Sequence, residues 1–304
     1  MLQGRAGAWH PLGLVGFRWA LATSVASLGC AVAPPASQFP SGNAALERLQ
    51  ATGTCGAGVQ ASAKIDHFGS KGRVRGDLLM YAQRPANLRL DVVSPFGVTL
   101  ATLTSNGERF ALADLRDQRF YVGPASACNI ARLTTVPVPG SVLVDLLRGQ
   151  PPVLKRLEAT PPSISWSGAG YYVVKIASTR DAREELHLAP HPDDYGKPWS
   201  EQRMRLLDVK VEQYGGVAYH AELADHHATS TAPARVDPDG IEPPLPAGPP
   251  CDAEIPRRIH VEVPDEEADV LFRYEDVKWN PPVPDGTFVQ TAPNGMATLA
   301  VICE

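Results

Sequence analysis

Apolar and polar residues alternate through most of this 304-residue chain. A period of two suits one regular structure, an extended strand with one dry and one wet face. Val59, Ala61, Ala63 and Ile65 alternate with Gln60, Ser62, Lys64 and Asp66. Val74, Leu78 and Met80 alternate with Arg73, Arg75 and Asp77, and Leu88, Leu90 and Val92 with Arg89 and Asp91. The rhythm passes through Val98–Ser105, turns at Asn106-Gly107 into Arg109–Asp114, and turns again at Asp117-Gln118 into Arg119–Val122. It resumes at Ser163–Trp166, Tyr171–Ala177, Glu184–Leu188, Met204–Val211, Val217–Leu223, Ile259–Val263 and Val270–Trp279. One-sided alternation belongs to antiparallel sheets, so the chain reads as mainly β (α+β) with a curved antiparallel sheet. Tyr171-Tyr172-Val173-Val174 does not alternate, which predicts burial on both faces of that strand.

Two segments break the rhythm helically. Asn43–Thr52 reads as a short helix, with Leu46 and Leu49 around Glu47 and Arg48. The second interruption, Cys128–Leu154, contains Pro137-Val138-Pro139-Gly140-Ser141-Val142-Leu143-Val144-Asp145-Leu146-Leu147-Arg148-Gly149-Gln150-Pro151. Pro139 can precede a helix but not sit within one, Ser141 can cap it, and Gly149 with Pro151 ends it. Val142, Leu143, Leu146 and Leu147 then share one face, and two turns of helix need an apolar surface to cover. A helical lid over an apolar cavity in the sheet's concave side is the expected arrangement. Ser94-Pro95-Phe96-Gly97 is a turn between Leu88–Val93 and Val98–Thr104. Its Phe96 either stands exposed or folds back as core.

These two motifs, in this order, resemble the LolA/LolB family of bacterial lipoprotein carriers and receptors, the LolB branch most closely. Asn280-Pro281 after a strand and a later Phe288 add to the likeness, which covers most of Leu46–Ala292. The resemblance implies an unclosed β-barrel with a short-helix lid, whose cavity holds acyl chains of lipoproteins in transit. It makes Val142, Leu143, Leu146 and Leu147 ligand-binding lid residues. It makes Phe96 a membrane contact, where LolB-like proteins carry an exposed leucine. The expected partners are lipoprotein acyl chains or another lipid, the outer membrane and a periplasmic LolA-like carrier, with the protein itself a monomer.

Residues 1–29 hold Arg5 and Arg18, no acidic residue, and an apolar run from Trp19 to Leu28 that is too short to span a bilayer. That is the layout of an export signal. It ends Ser27-Leu28-Gly29-Cys30, resembling bacterial lipoprotein signals in which the cysteine is acylated and becomes the mature N-terminus. Cys30 is therefore the expected lipidation site; cleavage after Ala33 is the other reading. By the family's rule, Ala31 in place of Asp does not retain the protein at the inner membrane. The expected location is the outer membrane, lipid-anchored and facing the periplasm. Residues 30–42, rich in Pro, Ala and Ser, read as a flexible tether. Residues 43–304 read as one domain, with a Pro-rich loop inserted at about 225–256.

Export also explains the cysteines. Cys55, Cys128, Cys251 and Cys303 are even in number and lack any Cys-x-x-Cys pattern, which predicts two disulfides. Three pairings are possible, and Cys251–Cys303 with Cys55–Cys128 is the one expected. The formal net charge is −5, with no basic cluster to follow a phosphate backbone, so nucleic acid is excluded as a partner.

Catalysis finds little support. His187 and His191 lie on a predicted strand end and point together but far apart, and Asp225-His226-His227 reads as a solvated loop entrance. No Gly-x-Ser-x-Gly or phosphate loop is present. No enzyme activity, cofactor or metal is expected. Two functions compete: a lipid-anchored receptor that assists lipoprotein insertion, and an envelope lipoprotein that keeps the fold as an interaction scaffold.

Overall fold

The computed structural model describes residues 31–69, 72–134 and 136–303; the expected export signal at 1–29 and the expected lipidation site Cys30 lie outside them. Helix α1 (Gly42–Gly53) leads into a meander of β1 (Gly58–Gly69), β2 (Gly72–Gln83), β3 (Asn87–Val93), β4 (Thr99–Asn106), β5 (Arg109–Asp114) and β6 (Arg119–Pro124). Helices α2 (Ala127–Thr134) and α3 (Gly140–Leu147) interrupt it. A second meander follows: β7 (Ser163–Ser167), β8 (Tyr171–Ala177), β9 (Ala182–Pro190), β10 (Met204–Gln213), β11 (Gly216–Ala228), β12 (Glu254–Val263) and β13 (Ala268–Trp279). The last strand is β14 (Ala297–Ala300).

The fourteen strands among the described residues join one curved sheet in the order β14-β6-β5-β4-β3-β2-β1-β13-β12-β11-β10-β9-β8-β7. The two meanders meet where Val59 of β1 lies opposite Trp279 of β13. Strands β14 and β7 remain edges, so the barrel is unclosed. Neighbours are antiparallel except β14, which runs parallel to β6. Antiparallel order sorts the connections by end. The β1–β2, β3–β4, β5–β6, β8–β9, β10–β11 and β12–β13 turns gather at one end, the tip. The β2–β3, β4–β5 and β7–β8 turns, with the longer β9–β10 and β11–β12 connections, lie at the other, the base.

The core lies on the concave face. Leu78 and Met80 of β2, Leu88 and Leu90 of β3 and Phe272 of β13 form one apolar cluster with Leu46 and Leu49 of α1 and Leu143 and Leu146 of α3. Helix α1 is capped by Ser41, whose Oγ accepts from the Ala44 amide at 3.2 Å. Neither α1 nor α3 is long enough to persist alone; burial of each large side chain contributes roughly 2 kcal/mol and holds the helix in place.

Several expectations need correcting. Strand β8 alternates after all: Tyr172 and Val174 are buried, while Tyr171 and Val173 are half-exposed, with Tyr171 stacked on His187 at 4.5 Å. Pro139, not Ser141, occupies the N-cap of α3, with no side-chain cap. The tether is docked over much of its length. Val32 donates its amide to Gly168 O at 2.9 Å, Ser37 Oγ accepts from the Trp199 amide at 3.0 Å, and Phe39 packs edge-on against Tyr172. Asp225-His226-His227 belongs to β11, and His226 Nε2 meets Leu206 O at 2.9 Å.

Two disulfides form, but as Cys55–Cys251 and Cys128–Cys303. Position in the sheet explains the difference. Cys55 precedes β1 and Cys251 precedes β12, both at the base, where Asn280 Nδ2 also donates to Cys55 O and Pro249 O. Cys128 lies in α2 just after β6, and Cys303 follows β14, the strand paired with β6.

Candidate functional site

Helix α3 and the chain after it cross the concave face from base to tip, fastened by polar groups at three points. The first is Arg148, which has no exposed surface. Its Nε donates to Gly56 O at 3.0 Å, its Nη2 donates to the same oxygen, and its Nη1 donates to Asp145 Oδ1 at 3.1 Å. Burial, and then the nearby Arg84 charge, push the Arg148 pKa down to about 10, so it stays charged at neutral pH. Burial raises the Asp145 carboxyl, opposed by the charges of Arg148 and Arg84. The helix can end beside this pair because Gly149 adopts φ +69°, donating to Leu146 O at 2.9 Å. A Cβ at Gly149 would collide with Pro256.

The second fastening is Tyr274, whose hydroxyl donates to Leu147 O at 2.7 Å inside the core. The third is Glu184 on β9, whose Oε2 accepts from the Leu154 amide at 2.9 Å. Glu184 is buried, and among the described residues its Oε1 has no hydrogen-bond partner; neither has the hydroxyl of Tyr219, also buried on the concave face. Burial pushes the Glu184 pKa up to about 7, partly offset by the Leu154 amide. Burial also holds the Tyr219 phenol well above its usual value.

A pH dependence follows with a definite sign. Folding favours the protonated Glu184, so its contribution is complete below the ordinary value of 4.5 and is lost as pH rises through about 7. Glu184→Gln should match the parent near pH 5 and be more stable by about 2–3 kcal/mol at pH 8. Urea unfolding of both proteins at the two pH values checks this; parallel pH profiles would exclude Glu184 as the titrating group.

At the tip the concave face is less filled. Ile65, Val92 and Ala101 are half-buried there, and Gly76 contributes no side chain. Val92 and Ala101 are register partners next to the β3–β4 turn. In that turn the Gly97 amide donates to Ser94 O at 2.9 Å with Gly97 at φ +78°, a conformation suited to glycine. The geometry turns Phe96 outward, 92% exposed, with Val98 60% exposed beside it. The turn carrying these two exposed apolar side chains lies directly beyond the half-buried Val92 and Ala101.

Leu143, Leu146 and Leu147 have no exposed surface, and neither has Val144, while Val142 is half-buried. A side chain bordering a water-sized void would show accessible area, so these leucines face packed core. Val144 is buried with the leucines, and Val142 packs half-buried against the same core. Arg148, Tyr274, Glu184 and Tyr219 were not singled out from sequence. A basic residue in a last helical turn ordinarily faces solvent, and alternation in β9 reads Glu184 as an exception only once its face is known.

No protein-family model matches the chain. No curated protein matches it in sequence. Solved structures with a similar fold include an outer membrane lipoprotein-sorting protein domain from Vibrio parahaemolyticus: 11% identity, TM-score 0.45, covering 82% of this chain and 95% of that one. A DUF1329 family protein from Desulfovibrio piger is similar at 9% identity, TM-score 0.46, over 81% of this chain and 95% of its own. A LolA superfamily protein from Nitrosomonas europaea is similar at 10% identity, TM-score 0.44, over 83% of this chain and 99% of its own.

Proposed function

We propose that the domain takes up acyl chains of lipoproteins at its tip, along the concave face from which α3 lifts, and assists their insertion into the outer membrane. The apolar side chains at the tip, from exposed Phe96 and Val98 to half-buried Val92, Ala101 and Ile65, carry this reading, because they open onto the concave face that α3 covers, a helix held by separable polar contacts. In this reading Cys30 is acylated, the protein is anchored at the outer membrane facing the periplasm, and a LolA-like carrier is the donor.

The anchor constrains the orientation. Val32 is fixed at the base by its bond to Gly168 and by Trp166 Nε1, which donates to Val32 O at 2.9 Å. Two residues span no more than about 7 Å, so a lipid on Cys30 holds the base near the bilayer. Strand β1 alone, 12 residues, runs about 40 Å from base to tip. Phe96 then meets the donor, and the membrane contact implied by the resemblance requires residues 32–39 to detach.

A second reading, an interaction scaffold, is favoured by the packed interior with Trp279, Tyr172, Phe110 and Phe272 fully buried. A diazirine-bearing palmitate separates the two. Uptake predicts cross-links to peptides of α3, β2 and β3; absence of saturable labelling there supports the scaffold.

A further inference from the structure

The outer, convex face of the sheet carries a row of histidines and carboxylates that no fragment of sequence brings together. On β10, Asp208 lies opposite Glu222 of β11; on β11, His220 and Glu222 lie opposite Glu262 and His260 of β12; Glu262 lies opposite Asp269 of β13. Side chains on one face of adjacent strands are neighbours, so these six interleave. His220 Nε2 is 2.7 Å from Asp208 Oδ2, and its Nδ1 is 3.5 Å from Glu262 Oε2. His260 Nε2 is 2.7 Å from Asp269 Oδ1 and 3.8 Å from Glu262 Oε1, while its Nδ1 is 3.8 Å from Glu222 Oε2.

We propose that this face binds divalent transition-metal ions, of which Zn²⁺ is the type, at two linked triads: Asp208, His220 and Glu222, and His260, Glu262 and Asp269. Within each triad one donor atom per residue lies within 4.8 Å of the others. Donors around a tetrahedral ion with bonds of about 2.1 Å are roughly 3.4 Å apart, so side-chain rotation alone closes either set. Each triad offers one imidazole and two carboxylates, a nitrogen–oxygen set that suits Zn²⁺, Ni²⁺ or Cu²⁺ better than Mg²⁺ or Ca²⁺. Four carboxylates also outweigh two imidazoles even when both rings are protonated, leaving negative charge for a dication to offset.

The second triad is open to entry. His260 and Asp269 of that triad, with Glu222 of the first, border a groove of about 430 Å³ whose other walls include Leu271, Arg258 and Arg73. Arg73 is engaged by Asp66, through Nε to Oδ1 at 2.7 Å, rather than by the triad. An ion in the second triad would brace β12 against β13, and one in the first β10 against β11, on the face opposite the acyl path, so the site is independent of lipid uptake.

The test is calorimetric titration of the EDTA-treated protein with Zn²⁺ and, separately, Ca²⁺. Saturable Zn²⁺ binding is expected, weakened at least about tenfold by His220→Asn or His260→Asn and lost in the double variant. His191→Asn, outside the row, should bind as the parent does. The substituted side chains are outside the core, and circular dichroism confirms folding; Asp269→Asn serves if a histidine variant does not fold. Parent and double variant binding Zn²⁺ alike, or Ca²⁺ binding as tightly as Zn²⁺ and indifferent to the histidines, overturns the proposal.

Discussion

Leu143→Glu should lower stability by about 4 kcal/mol or more, and Phe96→Glu should leave it within about 0.5 kcal/mol, although both introduce the same carboxylate. Leu143 has no exposed surface and sits where α3 meets the concave face. Its replacement removes a packed leucine and leaves the new group to neutralise at a cost or to drag the helix into water. Phe96 is 92% exposed on a turn whose hydrogen bonds are backbone-made or run from the Val98 amide to Ser94 Oγ, so a carboxylate placed there stays solvated. For a domain of this size the first change corresponds to a fall in Tm of roughly 10 °C and the second to almost none. The functional consequences should cross over. Leu143→Glu should lose labelling by photoreactive palmitate at α3, whereas Phe96→Glu should keep it and lose transfer from a lipid-loaded donor. Unfolding of Phe96→Glu would make that residue part of the core despite its exposure and remove the tip from the proposed function.

The alternation of β1 to β4 made most of the sheet legible, because a strand with one wet face repeats its chemistry every second residue. Tyr171–Val174 misled for the same reason: Tyr171 is apolar but stacks on His187 at the convex surface, so hydrophobicity there does not mean burial. The Cys55–Cys251 bond was not legible. It depends on which connections share an end of the sheet, and the two cysteines are 196 residues apart. Phe39 was the missed signal for the docked segment, a large aromatic in a run of small residues that packs on Tyr172 and Trp199. The lid was found from its Pro and Gly boundaries. Its fastenings were hidden, because the partners of Arg148, Leu147 and Leu154 come from Gly56, Tyr274 and Glu184, all distant in sequence. Histidines 220 and 260 are likewise ordinary polar positions on alternating strands until the register sets them side by side.

Arg148→Met should destabilise the protein by about 3 kcal/mol and loosen α3 selectively. The methionine can fill the space of the arginine stem, but it leaves Gly56 O without its donor and Asp145 with Arg84 alone, 3.9 Å away and partly exposed. Arg148 is buried and Asp145 half-buried, and removing one member of such a pair strands the other, so the loss should exceed that of removing both. Asp145→Asn with Arg148→Met should therefore be no less stable than Arg148→Met, a coupling that denaturant unfolding of the four proteins measures. If the pair is a latch, the damage is local. Amide exchange in α3 should then accelerate more than in β1 and β13, and photoreactive palmitate should label α3 faster than in the parent. A uniform rise in exchange, with labelling unchanged or slower, would mean that Arg148 only holds the core together, and α3 would lose its part as the moving element.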